Sequence, residues 1–335
     1  MEKRKAAHDI VPTIYSAFNH LGCYGMIFAQ NPSIYNWQLN EIMQLRCTRR
    51  FLKGEYSSPE LMLDRGFYKS CPHIEKYEIP YKLFGKHVHD VIRNIVSQGY
   101  GVMFEGCDDY YIEGKTWYKT RHFAHDGLIC GYDMDKKTYL IYAFDKDWKL
   151  SLFEISVRSL GRAARGGVEL GRMPKLFPIK ARPETVKFDP KRVFEGIKEY
   201  LSSDFEKYPI DGEGFVYGSV VQKYLILYLQ KLANGEIGYE KADRRLFRLL
   251  MEHKECMLDR IRTVSQALSL DETADKEYRK VVDISGKLHI MYAMYLSRER
   301  SDTPKRMITL LEALIKEENA ALNNLINKMK GKPET

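Results

Sequence analysis

The hydrophobic periodicity of the chain changes once, and that change restricts the fold more than any other feature. Up to about residue 185, strand-like runs are mixed with helical spacing; from 191 to 330 the apolar positions recur almost entirely at i, i+3 and i+4. Between the two regions lies KLFPIKARPETVKFDP. Pro178, Pro183 and Pro190 prevent a continuous helix there, whereas Asp189 and Pro190 suit the N-cap and first position of the next one. A chain of 335 residues is too long for one ordinary domain and too short for three. The expectation is an α+β domain over residues 1–188 and an all-helical domain over 189–335.

Within the first region, KHVHDVIRNIVSQG puts Val88, Val91, Ile92, Ile95 and Val96 at helical spacing and ends at Gly99. GVMFEG reads as a buried strand. AHDGLIC and TYLIYAF read as strands joined by the turn formers of GYDMDKK, and WKLSLFEIS extends the antiparallel sheet. The second region holds at least four amphipathic helices, in SVVQKYLILYLQKLANG, in YEKADRRLFRLLMEHKECMLDRIRTVSQALS, in KVVDISGKLHIMYAMYLSR and in TPKRMITLLEALIKEENAALNNLINKMKG.

With 44% hydrophobic and 12% aromatic residues the whole chain should fold. No apolar run approaches the roughly 18 residues of a membrane span. MEKRKAAHDIVP lacks the apolar core of a secretory signal, so a cytoplasmic location is expected. Six cysteines without a CxxC are expected to be free thiols. The net charge of +8 favours an acidic partner, but the basic groups match no nucleic-acid module, so no nucleic acid is expected. His87 and His89 are two apart on a helix and point to different sides, so no metal is expected.

Cys23 follows Asn19, His20, Leu21 and Gly22, a loop-like lead-in, and opens the helical YGMIFAQ, where a helix N-terminus would favour a thiolate. If the loop Gly131 to Lys137 joins symmetric strands, Cys130 faces Thr138 and His125 faces Ala143. Asp145 is then the diagonal neighbour of His125, about 7–8 Å away, and could fix the tautomer of its imidazole. His122 is the rival imidazole. Tyr24, Tyr35, Trp37 and Trp117 could line an acyl pocket, but aromatic residues in this number are read as core packing.

The segment HDGLICGYDMDKKTYLIYAFD resembles the histidine strand, Gly-Tyr-Asp turn and following strand of papain-like cysteine peptidases of the bacteriocin-processing type. It is closer to their relatives in natural-product gene clusters, the butirosin acyltransferase family and closthioamide-type amide-forming enzymes, which NWQLNEIMQL and RLFRLLMEHKECMLDR also resemble. The resemblance implies a papain-like fold and a Cys23–His125–Asp145 triad. It would pass an acyl group from a carrier-protein thioester, through an acyl-Cys intermediate, to a small amine. The substrate would be carried on the phosphopantetheine of an acyl or peptidyl carrier protein, and no cofactor would be needed. Papain-like enzymes usually carry a Gln about six residues before the Cys; position 17 is Ala, and Asn19 is the expected substitute in the oxyanion hole. A cysteine peptidase and a catalytically silent binding protein are the alternatives.

Overall fold

The computed structural model describes residues 4–8, 13–63, 71–203, 214–298 and 302–331. Its strands are β1 (Lys5–Ala7), β2 (Leu45–Thr48), β3 (Met62–Leu63), β4 (Ile74–Lys76), β5 (Ile79–Pro80), β6 (Gly101–Asp108), β7 (Ala124–Asp133), β8 (Thr138–Phe144), β9 (Leu150–Ser156), β10 (Lys175–Ala181) and β11 (Phe215–Tyr217). Its helices are α1 (Asn19–Phe28), α2 (Ile34–Glu41), α3 (Val88–Ser97), α4 (Val157–Glu169), α5 (Pro190–Ser202), α6 (Val221–Ala233), α7 (Leu246–Ala267), α8 (Thr273–Arg298) and α9 (Thr303–Lys330). The chain divides into two compact units: Met1–Ile34 with Cys71–Thr185, and Tyr35–Ser70 with Val186–Thr335. Residues 35–63, expected in the first domain, therefore group with the second.

The first unit is an antiparallel eight-stranded sheet with the order β4-β10-β6-β7-β8-β9, β1 adding to β7 and β5 to β10. Helices cover both faces. Val88, Ile92 and Val96 of α3 and Leu160, Ala163 and Ala164 of α4 share a core cluster with Val102, Phe104, Ile129 and Ile141. The opposite pleat carries Gly101 and Leu128, and a Cβ at Gly101 would come within 2.7 Å of Ile27 in α1. α4 approaches the end of β6 through its glycines. A Cβ at Gly167 would lie 1.9 Å from the Gly106 carbonyl oxygen, and one at Gly166 2.7 Å from the Asp108 carboxylate.

The β7–β8 register differs from the symmetric-hairpin expectation. Asp133 pairs with Thr138 and Leu128 with Tyr142, with a bulge between Ile129 and Gly131. The strands thus run through the Gly-Tyr-Asp motif, and the turn is only Met134 to Lys137. Cys130 does not face Thr138, and His125 precedes the paired residues.

The join between the two regions has the expected chemistry. The Asp189 carboxylate accepts from the amides of Lys191 and Arg192, and Pro190 opens α5. The second unit is not all helical, because β11, β2 and β3 form a small antiparallel sheet in which Phe215 pairs with Thr48 and Leu45 with Leu63. Its helices close on a buried ionic cluster. The Lys254 ammonium lies 2.7 and 2.8 Å from the two Glu318 oxygens, which also accept from Tyr200, Gln222 and Tyr278. Arg260, fully buried, donates to the carbonyls of Leu39 at 2.6 Å, Ile42 at 2.6 Å and Gln38 at 3.2 Å, satisfying the C-terminal end of α2. That bond set joins α2 to α7.

Among the described residues no helix is long and apolar enough to cross a membrane. No group of three or more His, Cys, Asp or Glu side chains among them could hold a metal ion. His89 instead contacts the Tyr139 hydroxyl at 2.9 Å.

Candidate active site

Where β6 ends, two adjacent carboxylates face two imidazoles. β6 pairs with β7 so that Cys107 is opposite His125 and Asp108 opposite Ala124. A bulge at Gly106, which has φ 73°, realigns the strand end. Asp108 is fully buried, accepts from the amides of Tyr110 and Phe123, and meets His122 Nδ1 at 2.6 Å. Asp109, in a single 3₁₀ turn, lies 3.1 Å from His125 Nδ1 through Oδ2 and 3.0 Å from Lys115 Nζ through Oδ1. Asp109 and Lys115 are each 2% exposed, so this ion pair forms the floor beneath a His125 ring that is 26% exposed.

Asp109 decides the tautomer. Nδ1 cannot both donate to a carboxylate and accept from Lys115, which is 3.4 Å away and already donates to the Asp126 carbonyl at 2.7 Å. With the Nδ1 proton held by Asp109, Nε2 is the nitrogen that can exchange a proton. It lies 3.4 Å from Asp126 Oδ1.

The expected site residues fall in different places. Asn19 is not in a lead-in loop but in the first turn of α1. Its amide donates to Asp126 Oδ1 at 2.7 Å and to the Asp126 carbonyl at 2.8 Å, while its oxygen accepts from the Phe144 amide. Both amide hydrogens are thereby committed, so Asn19 has none for an oxyanion. Cys23 comes one helical turn later, fully buried, and its thiol donates to the Tyr142 carbonyl at 3.5 Å. Burial, then the nearby charge of Asp126, pushes its pKa well above the ordinary value and keeps the thiol protonated.

Asp145 serves the β8–β9 turn rather than the imidazole. Its carboxylate accepts from the amides of Asp147 and Lys149 and from the Ser151 hydroxyl at 2.9 Å. Burial would raise its pKa, but these donors hold it below the usual carboxylate value. The structure therefore brings His125 together with Asn19 through Asp126, and supplies Asp109 where Asp145 was expected. No hydrogen bond joins His125 to Cys23 or Asp145.

All six cysteines are buried, and burial raises Cys71, Cys107 and Cys130 to about 12. A disulfide thiol reagent at mildly alkaline pH is therefore expected to react rapidly with fewer than about one thiol in the native protein, and with all 6 after unfolding. Fast stoichiometric labelling of native Cys23 would show instead that the thiol is accessible.

No protein-family model matches the chain, and no curated protein matches its sequence.

Proposed function

We propose that the protein has a papain-like first unit that joins an acyl group, presented as a carrier-protein thioester, to an amine, with His125 as the base and Asp109 as its orienting carboxylate. The observation that carries the reading is the Asp109–His125 pair at 3.1 Å above buried Lys115. It is a base and orienter arrangement, the part of a catalytic triad that moves protons. The resemblance of HDGLICGYD and its following strand to acyl-transferring relatives supports the choice of reaction.

The position of Cys23 favours direct transfer over an acyl-Cys intermediate. In that step the amine nitrogen attacks the thioester carbonyl and forms the C–N bond while Nε2 of His125 takes the amine proton. The C–S bond then breaks, and the imidazolium returns the proton to the departing thiolate. A second reading, a binding protein without covalent chemistry, is favoured by the same burial of the thiol. The peptidase alternative needs a thiolate and is the least compatible with it.

The test is to incubate the protein with butyryl-pantetheine and putrescine and to follow amide formation and protein mass. The wild type is expected to form amide without an acyl adduct, and Cys23→Ala to retain the rate. His125→Ala should lose about 10²–10⁴-fold. An adduct on Cys23 that disappears in Cys23→Ala would restore the acyl-Cys route, and a wild type that binds the thioester without turnover would leave the binding reading.

A further inference from the structure

The turn that Asp145 builds carries a side chain with no part in the packing described above. Trp148 sits in it at φ 59°, a left-handed conformation that only a well-determined turn maintains, and is 44% exposed. The same turn is tied to the segment before Trp117. Thr116 donates to the Asp145 carbonyl at 2.9 Å and the Lys146 amide donates to the Gly114 carbonyl at 2.8 Å. Asp145 thus acts as a positioning residue that sets the two indoles edge to face, 6.0 Å apart.

The aromatic surface continues to the candidate base. Trp117 and Phe123 are 6.3 Å apart, Phe123 is 40% exposed, and its ring meets that of His125 at 5.5 Å. The Arg121 guanidinium lies 5.2 Å from the Trp117 ring and 6.0 Å from that of Phe123, and it has no carboxylate partner among the described residues. Single exposed apolar side chains are common on proteins. A contiguous set of partly exposed rings, rimmed by a cation with no carboxylate partner among the described residues and ending at an imidazole, marks a binding surface.

We infer that Trp117, Phe123, Trp148 and Arg121 form the binding site of a planar aromatic anion, an aryl carboxylate whose ring packs on the indoles and phenyl while its carboxylate pairs with Arg121. Offset or edge-to-face ring packing matches the spacing of the wall, and the guanidinium fork matches a carboxylate. A free ammonium would be repelled by Arg121, and a saturated ring would lose the aromatic contact. The inference rests on the reading of His125 as the base only for what happens after binding, since the bound ring would lie beside that imidazole; binding itself is measurable without turnover.

The test is calorimetric titration of the full chain with 2-naphthoate, with cyclohexanecarboxylate and 2-naphthylmethanol as the charge-only and ring-only probes. The expected result is saturable binding of 2-naphthoate, at least about tenfold tighter than either control. Arg121→Gln and Trp148→Leu, both at exposed positions and checked for fold by circular dichroism, should each weaken it by about tenfold or more. His125→Ala should still bind it, so that a failure of the catalytic reading is seen separately. No saturable heat from 2-naphthoate, equal affinity for cyclohexanecarboxylate, or unchanged affinity in Arg121→Gln or Trp148→Leu overturns the inference.

Discussion

Replacing Glu318 by alanine is expected to destabilise the helical unit by about 3–5 kcal/mol, among the largest effects of any single substitution in the chain. Lys254 is fully buried; burial pushes its pKa down and Glu318 pushes it back up, so the carboxylate is what allows the ammonium to remain charged there. Without it the charge is left unpaired, and Tyr200, Tyr278 and Gln222 lose their acceptor. Denaturant unfolding followed by helical circular dichroism measures the loss. The double substitution Lys254→Met with Glu318→Leu removes both charges and should cost clearly less than Glu318→Ala alone. A double variant as unstable as the single would show that packing, rather than the unpaired charge, dominates.

For the proposed acyl transfer, Asp109→Asn should lower amide formation by about 10³–10⁴-fold, because a carboxamide can present hydrogens to His125 Nδ1 and favour the wrong tautomer. It should also lower the melting temperature, since Lys115 would lose the anionic partner of a nearly fully buried ammonium. Asp145→Asn is the control. It retains an acceptor for the Asp147 and Lys149 amides and should leave that rate near wild type. The opposite ranking of the two variants would return Asp145 to the site.

His125 was legible because it stands in an alternating strand run before turn formers, and the helix over residues 88–97 because Val88, Ile92 and Val96 recur on one buried face. Asp109 was not, for a reason of register. The strand GVMFEG was legible but its extension through Cys107 and Asp108 was not, and the partner of His125 comes from that side of the sheet rather than from β8. A bulge in each flanking pairing moves the ladder by one residue, and bulges leave little trace in hydrophobic alternation. Two adjacent acids at a strand end, opposite an imidazole strand, were the available signal. Cys23 looked like a helix opener because Gly22 precedes it, yet α1 begins at Asn19 and carries the thiol inward. The grouping of residues 35–63 was hidden as well, since its contacts join positions far apart in the chain, β2 with β11 and Arg260 with the Leu39 carbonyl across a separation of 221 positions among them.

The pairing of β2 with β11 sets an order of assembly during synthesis. Thr48 leaves the ribosome long before Phe215, so the segment carrying β2 must wait, with one strand edge open, until well over a hundred further residues have followed. In that interval the chain between Cys71 and Thr185 can complete the large sheet with Met1–Ile34, closing a loop around a segment that has not yet found its own partners. A nascent chain stopped at residue 188 therefore holds the first unit with an unpaired strand edge in its middle, the kind of surface that chaperones hold and aggregation exploits.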